Sequence, residues 1–242
     1  MDLDPSVKQK IQIAFVLAIA VAALRTGYVL YQRHAENKPE VQQQAAPALN
    51  PDYYVVPKRL HPYDLKSARE LTRQPVWVKE GYRYMYFPYD RATHHANFEH
   101  EAGMLLPIQR LEIKDVVTDT APNSGKQKQV MAIFDQDGKT YAFQIGFFKE
   151  GDYKIYSDEM LYIQDPRELY KHWPPDVWQS IEKREVKQGM NELQTDFAIG
   201  VGRPEKQDDP TWKTVHYTNG GKPITITYRD GKAVQIKPDK AL

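Results

Sequence analysis

Apolar and polar positions change their period several times along this chain, and each change marks an element. Residues 11–24 read IQIAFVLAIAVAAL, with Gln12 as the one polar position, and apolar residues resume after Arg25 as far as Tyr31. As a helix, the run from Ile11 to Tyr31 measures roughly 31 Å at about 1.5 Å per residue, enough to cross a bilayer's hydrocarbon core. Arg25 falls toward the far end, where its long stem lets the charge reach the headgroups. Tyr28 and Tyr31 suit the membrane–water interface. The pattern predicts a membrane anchor over residues 1–35, with Ile11, Leu24, Arg25 and Tyr31 marking the span. A cleaved signal peptide is the alternative. Lys8 and Lys10 precede a short apolar run, and Ala20-Val21-Ala22 has the form of a cleavage site. Asp2, Asp4 and the apolar residues beyond Arg25 favour the uncleaved signal anchor. Both readings export the rest of the chain, so the soluble part is expected in the periplasm.

Glu36–Pro51 (ENKPEVQQQAAPALNP) has no sustained apolar period and reads as a linker, within a linker and approach segment over 36–75. In that segment Pro62–Thr72 reads as a short helix. Strand signals then begin. Val76-Trp77-Val78 is β-branched and aromatic. Gly81–Tyr89 (GYRYMYFPY) alternates, which predicts one strand with Tyr82, Tyr84 and Tyr86 on one face and Arg83, Met85 and Phe87 on the other. Leu105–Val117 reads as another strand. Val130–Phe148 reads as a hairpin turning at Asp137-Gly138. Lys154–Ile163 offers one more strand. Together 76–164 predict a β-rich domain, an antiparallel sheet or small barrel.

From Pro166 the period becomes helical, broken by Pro174-Pro175, with Val177, Trp178 and Ile181 as the buried stripe of a second helix. Three strands follow, separated by Asn219-Gly220-Gly221 and Asp230-Gly231. The expected fold class is therefore α+β: a transmembrane helix, the β-rich domain, then an αα–βββ domain over 165–242.

Composition narrows the classes. Hydrophobic residues are 41% and charged residues 27%, with a mean hydropathy of −0.68, which excludes a multi-span membrane protein. A net charge of +1 gives no sign of a nucleic-acid partner. The chain has no cysteine, so disulfides, thiolate metal sites and a cysteine-linked lipid anchor are excluded.

The candidate chemistry is sparse. Thr93–Glu101 (THHANFEHE) gathers His94, His95, Glu99, His100 and Glu101. On a helix His95 and Glu99 would share a face as a metal pair, but the order is not H-E-x-x-H, and the setting between strands reads as a loop. A metal-dependent hydrolase using His94, His95, Glu99 and His100 is one alternative function. A glycan-binding module stacking sugars on Tyr82, Tyr84 and Tyr86 is another. Phe134–Gly138 (FDQDG) lacks the later ligands of a calcium loop and is explained as a hairpin turn. Asp158 and Glu159, adjacent on a strand, would point to opposite faces, unsuited to paired acid–base work. Ser124 lacks the flanking glycines of a nucleophile elbow, and Ser180 sits mid-helix. No cofactor is expected.

Residues 189–204 (GMNELQTDFAIGVGRP) look at first like a phosphate loop. Read by direction they are a helix: Asn191 and Gln194 form a capping box, Leu193 and Phe197 share a buried face, and Gly200 supplies a left-handed C-cap before Pro204. Gly189 lets the chain turn sharply ahead of the cap. A phosphate needs a helix N-terminus, whereas these glycines follow a C-terminus, the negative end of the dipole.

The order of motifs from Val177 to Lys237 resembles the small outer-membrane assembly lipoprotein domain of the SmpA/OmlA type, whose αα–βββ layout is shared with β-lactamase-inhibitor-like domains. The matching residues are Gly189, Met190, Gly202, Pro204, Trp212, Tyr217, Tyr228, Gly231 and Val234. Asn191 stands where that family prefers Thr, a lipobox cysteine is lacking, and the β-rich region has no counterpart there. The resemblance covers about a quarter of the chain and implies a non-catalytic envelope module that works by contact. The expected function is a membrane-anchored extracytoplasmic scaffold or envelope-assembly protein. It would bind a protein partner, or lipid headgroups, beside the membrane, with its oligomeric state open.

Overall fold

The computed structural model describes residues 5–36, 50–122, 125, 127–206 and 208–239. Apart from its ends, the linker read over Glu36–Pro51 lies outside the described residues, as do Asp2, Asp4 and Ser124. The chain divides into two units, Met1–Asn50 and Pro51–Leu242.

The first unit contains one continuous helix, α1 (Pro5–Glu36). Within it Phe15–Arg33 is long and apolar enough to cross a membrane, and none of that stretch is buried. Leu24, Arg25 and Tyr31 are exposed, and Ile11 lies inside the helix. The apolar period expected across Arg25 is therefore realised without a break. The helix suits either an anchor or a signal sequence.

The second unit opens with a 3-10 turn at Pro51–Tyr54 and a short helix, α2 (Leu65–Ala68), which tightens into a 3-10 helix over Arg69–Arg73. Asp64 starts α2 by accepting from the Ser67 N–H at 2.7 Å, while the Ser67 hydroxyl accepts from the Asp64 N–H at 3.0 Å. That reciprocal cap shortens the helix expected from Pro62. The chain continues through β1 (Val76–Val78), β2 (Met85–Asp90), β3 (His95–Ala96), β4 (Gly103–Met104), β5 (Arg110–Leu111) and β6 (Ile113–Asp119). The long hairpin of β7 (Lys128–Gln136) and β8 (Lys139–Lys149) follows, then β9 (Asp152–Ile155), α3 (Ser157–Met160) and β10 (Leu161–Tyr162). Helices α4 (Pro166–Leu169), α5 (Pro175–Lys183) and α6 (Glu192–Ile199) lead into β11 (Arg203–Pro204), β12 (Trp212–Tyr217), β13 (Ile224–Arg229) and β14 (Lys232–Pro238).

The fold is mixed α+β. Among the described residues every strand pairing is antiparallel, and none of the three sheets closes into a barrel. The largest sheet runs β3-β2-β8-β7-β6, with β4 on β2 and β9 on β8. Alternation along β7 puts Val130, Ala132 and Phe134 into one apolar cluster and Met131 and Ile133 into another, so both faces are covered. The second sheet is β11-β12-β13-β14, against which α5 and α6 pack Ile181, Phe197 and Ile199.

A three-stranded sheet, β10-β1-β5, stands between these cores. Val76 and Val78 enter the cluster of the large sheet, while Trp77 between them packs on the helical cluster. Leu161 and Tyr162 divide in the same way. The period of two thus turns two short strands into a wall shared by two cores. The residues of all three clusters lie within Pro51–Leu242, so this unit carries its own core.

Three expected strands are corrected. Gly81–Tyr89 is a strand only from Met85, because Tyr82 adopts φ 58 in a turn. Leu105–Val117 is interrupted by a turn that puts Ile108 at φ 52, leaving β5 and β6. Lys154–Ile163 bends through α3, since the N–H groups of Glu159 and Met160 return to the Tyr156 carbonyl.

Candidate functional site

The histidine-rich loop is used for packing. Ala96 is buried and Phe98 lies 5.3 Å from Phe87, covering the second face of the large sheet, while His94, His95, Glu99 and His100 point outward. His95 belongs to β3 and not to a helix, so the metal pair with Glu99 is not formed. Instead its Nδ1 meets Asp119 Oδ1 at 2.7 Å, and the N–H groups of Ala96 and Thr120 donate to the same carboxylate at 2.6 and 2.7 Å. The Asp119 side chain is 0% exposed, so these donors replace its lost hydration. Among the described residues no group of three or more His, Asp or Glu side chains is placed to hold a metal ion.

The three tyrosines do not form one stacking face. Tyr84 and Tyr86 pack against the first core, and burial raises the Tyr84 phenol to about 12. Tyr82 leaves the strand, and its ring lies where a Cβ on Gly220 or Gly200 would come within 2.7 or 3.1 Å. Those glycines are therefore required by a close approach.

The capped helix forms as its letters indicate. Asn191 Oδ1 accepts from the Gln194 N–H at 2.8 Å, and Gln194 Oε1 accepts from the Asn191 N–H at 2.9 Å. Gly189 turns at φ 86. Gly200 has φ 86 but ψ 171, so it is an extended mirror-region residue and not the left-handed cap expected. The reason is again local: the Gly81 carbonyl oxygen would lie 2.7 Å from a Cβ there. Met190 is buried, and Gly202 fits under Val215 and Tyr217 with no room for a side chain. Beyond it Arg203 and Pro204 form β11, an unexpected fourth strand on the meander. Gly202, Arg203, Pro204, His216, Thr218 and Asp239 line an open cleft of ≈ 620 Å³. Trp212 starts β12 with the Arg229 guanidinium 5.3 Å over its ring, and Gly231 completes the β13–β14 turn at φ 74.

Two acidic residues that carried no signal in the sequence organise the unit. Asp196, on α6, is largely buried, and its Oδ1 has no hydrogen-bond partner. Burial and the nearby Glu192 carboxylate push its acid up to about 7, offset in part by the Tyr217 hydroxyl and Lys213. That hydroxyl also lies 2.8 Å from the Tyr228 hydroxyl. Lys213 is drawn aside by Glu192, at 2.5 Å.

The second is Asp52, whose side chain is 8% exposed. It accepts from His172 Nε2 at 2.6 Å, Trp173 Nε1 at 2.7 Å and Asn191 Nδ2 at 2.8 Å. Burial works to raise its carboxyl, and those hydrogen bonds together with the His172 charge outweigh it and hold the carboxyl below its usual range. Asp158 ties down the next turn of chain, taking the N–H groups of Leu60 and His61 at 3.0 and 2.8 Å. It is thereby a backbone clamp on α3, and not half of a strand-borne acid pair. Between these ties Val55 and Leu60 point into the cores while Tyr53, Tyr54, Val56 and Tyr63 point out.

Comparison of the chain with family models, curated proteins and solved structures gives no match.

Proposed function

We propose that this chain is a membrane-anchored extracytoplasmic scaffold or envelope-assembly protein of bacterial type, acting through contact and not catalysis. The observation that carries the reading is α1, whose stretch Phe15–Arg33 is long and apolar enough to cross a membrane. A lipid bilayer supplies the surroundings that such a helix needs. The use of the polar side chains supports a contact role. His95 is held by Asp119, His172 by Asp52, and His216 by Glu205 and Thr225, so these histidines stabilise loops and strands. The capped α6, the Gly202–Pro204 passage and the β12–β14 meander support the SmpA/OmlA-type resemblance and with it a protein partner in the envelope.

The test is fractionation of the full chain in bacterial cells. The protein should stay in the membrane through alkaline carbonate, and protease should reach it in spheroplasts but not in intact cells. Release by carbonate, or digestion only after cell lysis, overturns the reading. Crosslinking in native membranes then names the partner. Hydrolysis of an envelope substrate that His95→Ala or Glu99→Ala abolishes would replace contact with catalysis.

A further inference from the structure

We infer that Pro51–Tyr63 is a membrane-surface binding segment, which docks the second unit onto anionic lipid headgroups. Tyr53, Tyr54, Val56 and Tyr63 face away from the protein, while Val55 and Leu60 pack inward. Tyr53, Tyr54, Val56 and Tyr63 are 68 to 83% exposed, whereas the other large apolar side chains exposed among the described residues of this unit are 38 to 46% exposed. The four are not on loose chain. Asp52 and Asp158 clamp the backbone on either side of Val56, and the Lys58 N–H donates to Gln164 Oε1 at 2.8 Å. Side-chain hydrogen bonds thus hold this backbone with four large apolar groups outward, the exposed apolar surface that marks an interaction site.

Three features select a lipid surface as the occupant. Tyrosine, with an apolar ring and a polar tip, is the side chain that accumulates at headgroup depth. Lys58 and Arg59 lie exposed among these residues, matching the negative potential of anionic lipid. The segment also begins fifteen residues after Glu36, where α1 ends. At about 3.6 Å per residue, a chain of that length reaches at most about 55 Å when extended. The inference rests on α1 as a retained membrane anchor for this last point, and on the segment's own surface for the first two.

The chain lacks cysteine, so a single introduced one takes a fluorophore at a known place. The full chain, reconstituted in vesicles of phosphatidylcholine with or without phosphatidylglycerol, is labelled with an environment-sensitive dye at Val56→Cys or, as the control, at exposed Lys139→Cys on the β7–β8 turn. The Val56 dye should shift to the blue and be quenched by a lipid-borne headgroup quencher, more so with phosphatidylglycerol, while the Lys139 dye should not respond. Equal response at the two sites overturns the inference, as does a Val56 dye protected by added envelope extract but not by lipid, which assigns the surface to a protein. Carbonate extraction of the same vesicles judges the anchor separately. If the chain is released, the anchor reading fails, and the self-contained Pro51–Leu242 unit added to vesicles decides the surface. Its binding to phosphatidylglycerol vesicles should fall about thirtyfold with Lys58→Gln and Arg59→Gln together, and an unchanged affinity overturns the inference.

Discussion

Asp52 Oδ1 lies 2.6 Å from His172 Nε2, and this contact fastens the first turn after the linker to the bend between α4 and α5. The same carboxylate holds Trp173 and Asn191, so one side chain draws together the approach segment, an aromatic of the helical core and the N-cap of α6. Asp52→Ala leaves three donors unmatched and should cost about 2–4 kcal/mol. Limited proteolysis at pH 7 should then cut between Tyr53 and Leu60, where the parent chain resists. Because its carboxyl is held low, the stability Asp52 adds is present above the ordinary carboxylate value and is lost as pH falls through the lowered one. Unchanged cleavage in the variant would show that the segment is held by other means.

Asp196 gives the opposite dependence on pH. Its folded acid, at about 7, is above the unfolded value of 3.8, so the folded state holds the extra proton between them. That contribution is complete below the unfolded value and is lost as pH rises through 7. Asp196→Asn should therefore stabilise the protein at pH 8 by roughly 4 kcal/mol and change little at pH 4, as read by urea unfolding. Equal effects at both values would argue against a buried, ionising Asp196.

Gly200 tests the backbone. Alanine there meets the Gly81 carbonyl and the Tyr82 ring, and its φ of 86 with ψ of 171 belongs to glycine. Gly200→Ala should lower stability by about 2–3 kcal/mol. Adding Tyr82→Ala relieves only the ring contact, so most of the loss should remain. Thermal unfolding of the single and double variants checks this.

His95→Ala should cost roughly 1 kcal/mol, since Asp119 keeps two backbone donors. Elemental analysis of parent and variant should give the same zinc content. Stoichiometric zinc in the parent that His95→Ala removes would restore the metal reading of the loop.

What the letters revealed was what neighbours in sequence decide. The Asn191–Gln194 box, the Asp137-Gly138 hairpin and the Asp230-Gly231 turn each form between residues a few positions apart, so their identities suffice. The Lys139–Lys149 strand followed the same logic. The misread places depend on distant partners. β10 exists because Trp77 and Val78 pair with it, and β11 because His216 and Val215 do, across gaps that no local pattern reports. Tyr82 fitted a strand by alternation, yet its ring is claimed by Gly200 and Gly220 far along the chain. Nothing in the letters around Asp52 and Asp196 marks them out, because burial is a property of the packed whole.

The joint before α6 has a consequence for the order in which the chain folds. The Gly189 N–H donates to the Ala233 carbonyl at 2.8 Å, the Ala233 N–H to the Met190 carbonyl at 2.8 Å, and Gln188 Nε2 to the Val234 carbonyl at 3.1 Å. These partners belong to β14, so a chain delivered from its N-terminus makes the two-helix unit long before the strand that fixes its bend. During synthesis the α5–α6 joint must wait with its backbone groups in water, vulnerable to proteases and open to chaperones. A chain stopped at Gly231 should show rapid amide hydrogen exchange across Lys187–Asn191, and one stopped at Asp239 slow exchange. Equal rates would mean that the helices set their angle unaided.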